Sequence, residues 1–71
     1  MTTRDEIRRR YLGWTILERS CELGASAREL KDAELATLLR KAAYRAAKHV
    51  GASRALVERM RRVKSLRKTA R

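Results

Sequence analysis

Proline and phenylalanine are both absent from the 71 residues, and there are only three glycines, one cysteine and one histidine. Without proline, glycine is left as the main interrupter of helices. A single cysteine, Cys21, excludes an internal disulfide, and one Cys with one His, Cys21 and His49, cannot build a zinc site. Cys21 is read as a small core residue and His49 as a helix-end residue near terminal carbonyls. One Trp and two Tyr are the whole aromatic content, which implies a thin core that a second copy or a partner could complete. No apolar run is long enough to span a bilayer, and the opening MTTRDEIRRR lacks the apolar centre of a signal peptide, so a cytoplasmic protein is expected, nucleoid-associated if bacterial. Also missing are a nucleophile with its base, a working carboxylate pair and a glycine loop for phosphate, which points away from an enzyme and from any cofactor. Asp5 and Glu6 are adjacent, but in the first turn of a helix they simply favour its dipole.

Acidic residues are scarce in one half of the chain only. Residues 1–34 carry seven basic and seven acidic side chains, whereas residues 35–71 carry twelve basic ones against Glu58 alone. The whole formal excess of +11 therefore lies in the second half. A basic surface on that scale attracts phosphate polyanions, with an affinity that falls as salt rises.

Leu, Ile, Val and Ala recur at helical spacing, and the fold class expected is all-α, a single domain of three helices. Thr3 and Glu6 have capping-box spacing, so helix 1 is expected over about 4–23, stopping at Gly24. Its apolar side chains fall on two sides: Ile7, Tyr11, Trp14, Leu17 and Cys21 on one, Leu12, Ile16 and Leu23 nearly opposite. A short helical turn follows, and helix 2 is expected over about 33–50 after Asp32. Leu35, Leu38, Leu39, Ala42, Ala43, Ala46, Ala47 and Val50 form its inner face, and Thr37, Arg40, Lys41, Tyr44, Arg45 and Lys48 its outer one. Helix 3, over about 54–66, turns Leu56, Val57, Met60, Val63 and Leu66 inward and Arg54, Glu58, Arg61, Arg62 and Ser65 outward, before a basic tail at 67–71.

Within AYRAAKHVGASRALVERMRR, residues 43–62, Ala47 stands four positions before Gly51. Val50 precedes that glycine, Val57 and Met60 follow it by six and nine positions, and Ser53 stands where a hydroxyl caps a helix. This spacing resembles the helix-turn-helix of DNA-binding proteins, in which a small residue lets the second helix cross close to the first. Ala52 departs from it, standing where the family more often has Val or Ile. The resemblance implies a helix-turn-helix formed by helices 2 and 3, with helix 3 in the major groove of double-stranded DNA. Its base-contact positions fall on Ser53, Arg54, Ala55, Glu58 and Arg59, with Arg54 suited to guanine O6 and N7 and Glu58 either to cytosine N4 or to a pair with Arg54 or Arg62. Tyr44, Arg45, Lys48, Arg61, Arg62 and Lys64 are assigned to phosphates. The family usually binds as a homodimer, and Trp14 or the Leu12, Ile16 and Leu23 group of helix 1 is the surface available for it.

These features lead to a small DNA-binding regulator of transcription. A protein-binding inhibitor or adaptor, using the basic face and the apolar sides of helix 1, is the alternative, and RNA binding shares the charge argument while lacking interleaved aromatics for base stacking. A membrane-surface helix over 53–71 lacks Trp or Phe anchors.

Overall fold

Three helices succeed one another with short turns: α1 (Arg4–Glu29), α2 (Ala33–Val50) and α3 (Arg54–Thr69). They are seen in a computed structural model that describes the backbone of residues 3–69 and the side chains of residues 3–64. The side chains of Ser65 and Leu66, and those of the basic tail expected at 67–71, lie outside the described residues, although the α3 backbone runs on to Thr69, three residues into that expected tail.

Each helix starts on a side-chain cap. Thr3 Oγ1 accepts from the Glu6 N–H at 3.2 Å, an Asp32 carboxylate oxygen from the Leu35 N–H at 3.0 Å, and Ser53 Oγ from the Leu56 N–H at 3.2 Å. Each bond satisfies one of the donors that a helix N-terminus leaves without a partner. α2 ends on Gly51 at φ 69°, a left-handed conformation that glycine adopts without a Cβ clash, and the Gly51 N–H donates back to the Ala47 carbonyl. Only Gly51, Ala52 and Ser53 separate α2 from α3.

The expected end of helix 1 at Gly24 is not found. α1 passes through Gly24, which is buried inside the helix, and continues to Glu29. The left-handed residue that reverses the chain is Lys31, at φ 60°. A glycine stops a helix when it adopts positive φ; on a buried helical face it serves instead to admit a neighbour.

α1 and α2 form the most extensive helix pair, α3 packs mainly on α1, and the contact between α2 and α3 is the smallest of the three. Leu17, Cys21, Ala43, Ala46, Ala47 and Val57 make the buried core, with Trp14, Tyr44, Val50, Ala52 and Met60 packed against it. Three of those six are alanines, so helices approach closely and few large side chains are enclosed. Gly13 marks the tightest approach, since a Cβ there would lie 2.5 Å from Val50 Cγ1. A Cβ on Gly24 would meet Leu39 Cβ at an ordinary 3.9 Å. The two glycines are therefore expected to respond oppositely to alanine. Gly24→Ala gains helix propensity of about 1 kcal/mol without a clash and should raise Tm by about 4 °C. Gly13→Ala must push against Val50, whose branched side chain has one good helical rotamer, and should lower Tm in the same thermal melt.

Beyond Gly13, toward its N-terminus, α1 projects past the end of α2. The helices have 26 and 18 residues, hence lengths of about 39 and 27 Å. Ile7 and Tyr11, expected on the inner side, are consequently exposed. Leu35 and Leu38 of α2 and Leu56 and Val63 of α3, also expected inside, are exposed as well. On α3 the packed side is narrower than the apolar pattern suggests: Val57 is fully buried and Met60 half-buried, while Arg61 and Lys64 occupy the adjoining half-buried positions.

Candidate functional site

The outer face of α2 and the first three turns of α3 enclose an open cleft of about 650 Å³, lined by Arg40, Lys41, Tyr44, Arg45, Lys48, Arg54, Glu58 and Arg61. Six of these residues are cationic and one is anionic. Helical spacing accounts for the α2 wall, because positions 40, 41, 44, 45 and 48 fall on one side of a helix. Close contact of Ala47, Ala52 and Val57 with the core holds α3 beside that wall.

Arg54, the first residue of α3, lines the cleft. Its guanidinium lies over the Tyr44 ring, 5.6 Å from the centroid, and Nε is 3.5 Å from Glu58 Oε1. The Arg54 side chain is 82% exposed, so these contacts orient it at little strength, a few tenths of a kcal/mol for an exposed i,i+4 pair. Of the two roles open to Glu58, the structure contains the pairing with Arg54.

The expected base-contact residues divide between two flanks of α3. Arg54 and Glu58 line the cleft, whereas Ser53, Ala55, Glu58 and Arg59 line a shallow depression on the other flank together with Leu56 and Arg62. Glu58 is the ridge between them. Of the expected phosphate residues, Tyr44, Arg45, Lys48 and Arg61 are gathered in the cleft and Arg62 lies on the other flank. Lys64 is elsewhere: its Nζ donates to Glu22 Oε1 at 3.2 Å, tying α3 to α1 with most of the side chain covered. Arg40 and Lys41 join the cleft although they were not among the assigned residues. The signal for them was present, since each precedes an assigned residue by four positions on the same helix face.

On α1, Leu12, Ile16 and Leu23 are exposed as expected of an available surface. Trp14 is not part of that surface, because it packs half-buried against the core. Cys21 lies in the core, where burial pushes its thiol above the ordinary range while the charges of Arg61, Lys64 and Arg28 oppose the shift. The thiol is therefore protonated at neutral pH and shielded from reagents. Among the described residues there is no group of three His, Cys, Asp or Glu side chains placed to hold a metal ion, and no helix long and apolar enough to cross a membrane.

No protein-family model, curated protein or solved structure matches the chain.

Proposed function

We infer that the protein binds double-stranded DNA, with α2 and α3 acting as a helix-turn-helix and α3 entering the major groove. The observation that carries this reading is the cleft in which Arg40, Lys41, Arg45, Lys48 and Arg61 converge beside Arg54, with Glu58 the only acid. Cations along one wall of a groove follow a phosphate backbone, and the start of the adjoining helix then faces base edges. Supporting the motif, Ala47 and Val57 are buried, Val50, Ala52 and Met60 pack on the core, and a three-residue turn on a left-handed glycine joins the helices. A regulator of transcription is the role such a reader serves. The Tyr44 ring, the one aromatic in the cleft, has Arg54 over one face, which favours duplex over unpaired RNA, whose recognition relies on open aromatic faces.

In this reading phosphate contacts set affinity and register, and Arg54 discriminates. It leaves Glu58 to present its fork to a guanine, a contact worth about 1–3 kcal/mol against the wrong base. Selection from a random duplex pool should return a preferred sequence containing a guanine, and Arg54→Ala should lose roughly 10- to 100-fold of the preference there while retaining binding to nonspecific duplex. A flat outcome for the unsubstituted chain would overturn sequence reading. A preference left unchanged by Arg54→Ala would remove Arg54 from the reading face.

A further inference from the structure

Val50 packs on Gly13 and Leu39 lies beside Gly24, so α2 runs back along α1. α3 leaves the turn at the level of Gly13, and the stretch from Arg54 to Lys64 ends at Glu22, just as the stretch from Gly13 does on α1. α1 and α3 therefore run side by side in the same direction. Their N-termini point the same way, and α1 reaches further by residues 4–12, roughly 14 Å of helix. Every residue from Thr3 to Leu12 is exposed. Four of the six arginines of α1 stand there: Arg4, Arg8, Arg9 and Arg10. Among the described residues the ion pairs are Arg54 with Glu58 and Lys64 with Glu22, so none of the four is neutralised by a close acid. At 100° per residue they face two ways. Arg9 and Arg10 fall within about 60° of Gly13, on the face turned to the end of α2, and overhang the turn into α3. Arg4 and Arg8 fall at least about 140° from Gly13 and face away.

We propose that Arg9 and Arg10 hold phosphates on the edge of the major groove opposite the one followed by the cleft, which makes the projecting end of α1 a second duplex-binding element. This rests on α3 entering the groove N-terminus first. α3 turns Arg54, Glu58 and Arg61 toward α2 and Lys64 toward α1, so the two other helices flank it. Packed helices lie about 8–10 Å apart axis to axis, and the major groove is about 12 Å wide. A helix beside α3 is thus over the rim of the groove, where the phosphates are, and too far out to read bases. On one flank the cleft supplies cations to that rim. On the other, α1 from Gly13 onward carries Arg19 and Arg28 against Glu18, Glu22 and Glu29, so only its projecting end is basic. Glu6 shares the face of Arg9 and Arg10 one turn further out, in the first turn where it favours the helix dipole, and the face stays positive. Each guanidinium can give a phosphate two parallel hydrogen bonds.

The test uses the full chain and a labelled duplex of mixed sequence. Arg9→Gln with Arg10→Gln should weaken binding roughly 10- to 100-fold at about 100 mM salt. Both positions are exposed and glutamine is a good helix former, so helicity by circular dichroism should be unchanged. Arg4→Gln with Arg8→Gln removes the same charge from the same turns, but on the far side of a helix about 10–12 Å across, beyond the Debye length, and should cost less than about threefold. Arg9→Lys with Arg10→Lys keeps the charge and should recover most of the binding. Arg45→Gln with Lys48→Gln, in the cleft, is the reference. If that pair weakens binding and the pair at Arg9 and Arg10 does not, α1 is no duplex-binding element and the cleft still is. Equal losses from the pairs at Arg4 and Arg8 and at Arg9 and Arg10 would also overturn the proposal, because total charge and not placement would then set affinity. An unsubstituted chain that fails to bind duplex would overturn the reading of α2 and α3, and this one with it.

Discussion

Affinity for a DNA duplex should fall about a thousandfold when salt is raised from 50 to 200 mM. The cleft offers five cations for phosphates plus Arg54. Each phosphate neutralised by a cation releases condensed counterions, and the logarithm of affinity falls with the logarithm of salt at a slope of about −0.9 per contact. Five or six contacts give a slope near −5 and hence about three orders of magnitude over a fourfold change in salt. Replacing Arg45 and Lys48 together by Gln should make the slope shallower by roughly 2 and weaken binding about equally on all sequences. Both residues are exposed on α2 and bury nothing, so the fold should be unaffected. A fluorescence titration of a labelled duplex at four salt concentrations reads both quantities. A slope shallower than about −2 for the unsubstituted chain would remove the cleft as the phosphate-binding surface.

The second large effect concerns stability. Leu17 is the bulkiest fully buried side chain, and the α2 residues in its buried cluster, Ala43, Ala46 and Ala47, are all alanines. Truncating a buried leucine removes its transfer free energy and leaves a cavity, together about 2–5 kcal/mol. A chain of this size has roughly 4–10 kcal/mol of stability in all, so Leu17→Ala takes away a large share of it. Tm should drop by at least about 10 °C in a thermal melt followed by circular dichroism. A drop below about 5 °C would mean that the core can collapse around the missing methyls or that stability resides elsewhere.

Local chemistry was legible in the residues. Thr3, Asp32 and Ser53 announce helix starts because a cap is formed within three residues of itself. Gly51 was read correctly for the same reason. Gly24 was not, because the stop signal lies in the backbone angle and not in the residue type, and its small side matters only once α2 is packed against it. Exposure followed tertiary facts that no periodicity contains. Ile7 and Tyr11 have the phase of core residues, yet α2 is too short to reach them. Leu35 and Leu38 have an apolar phase too, but α3 covers the opposite face. In the candidate site, the basic half and the α2 face could be read from spacing. That Lys64 would be occupied by Glu22, and Arg54 by Tyr44 and Glu58, depended on how α3 lies against both other helices.

The unequal lengths of α1 and α2 make one continuous helix into two energetic units. From Gly13 to Glu29, opening α1 means opening the core, so its backbone bonds are protected by the stability of the whole domain. From Arg4 to Leu12 the helix rests on the Thr3 cap, the acidic first turn and its attachment to the inner part of α1, and it can unwind and reform without opening the core. Arg4, Arg8, Arg9 and Arg10 all belong to that outer unit. Their positive charge is thus carried on a segment whose helix content can change independently of the fold, so a polyanion meeting it can alter local order there while the core stays closed.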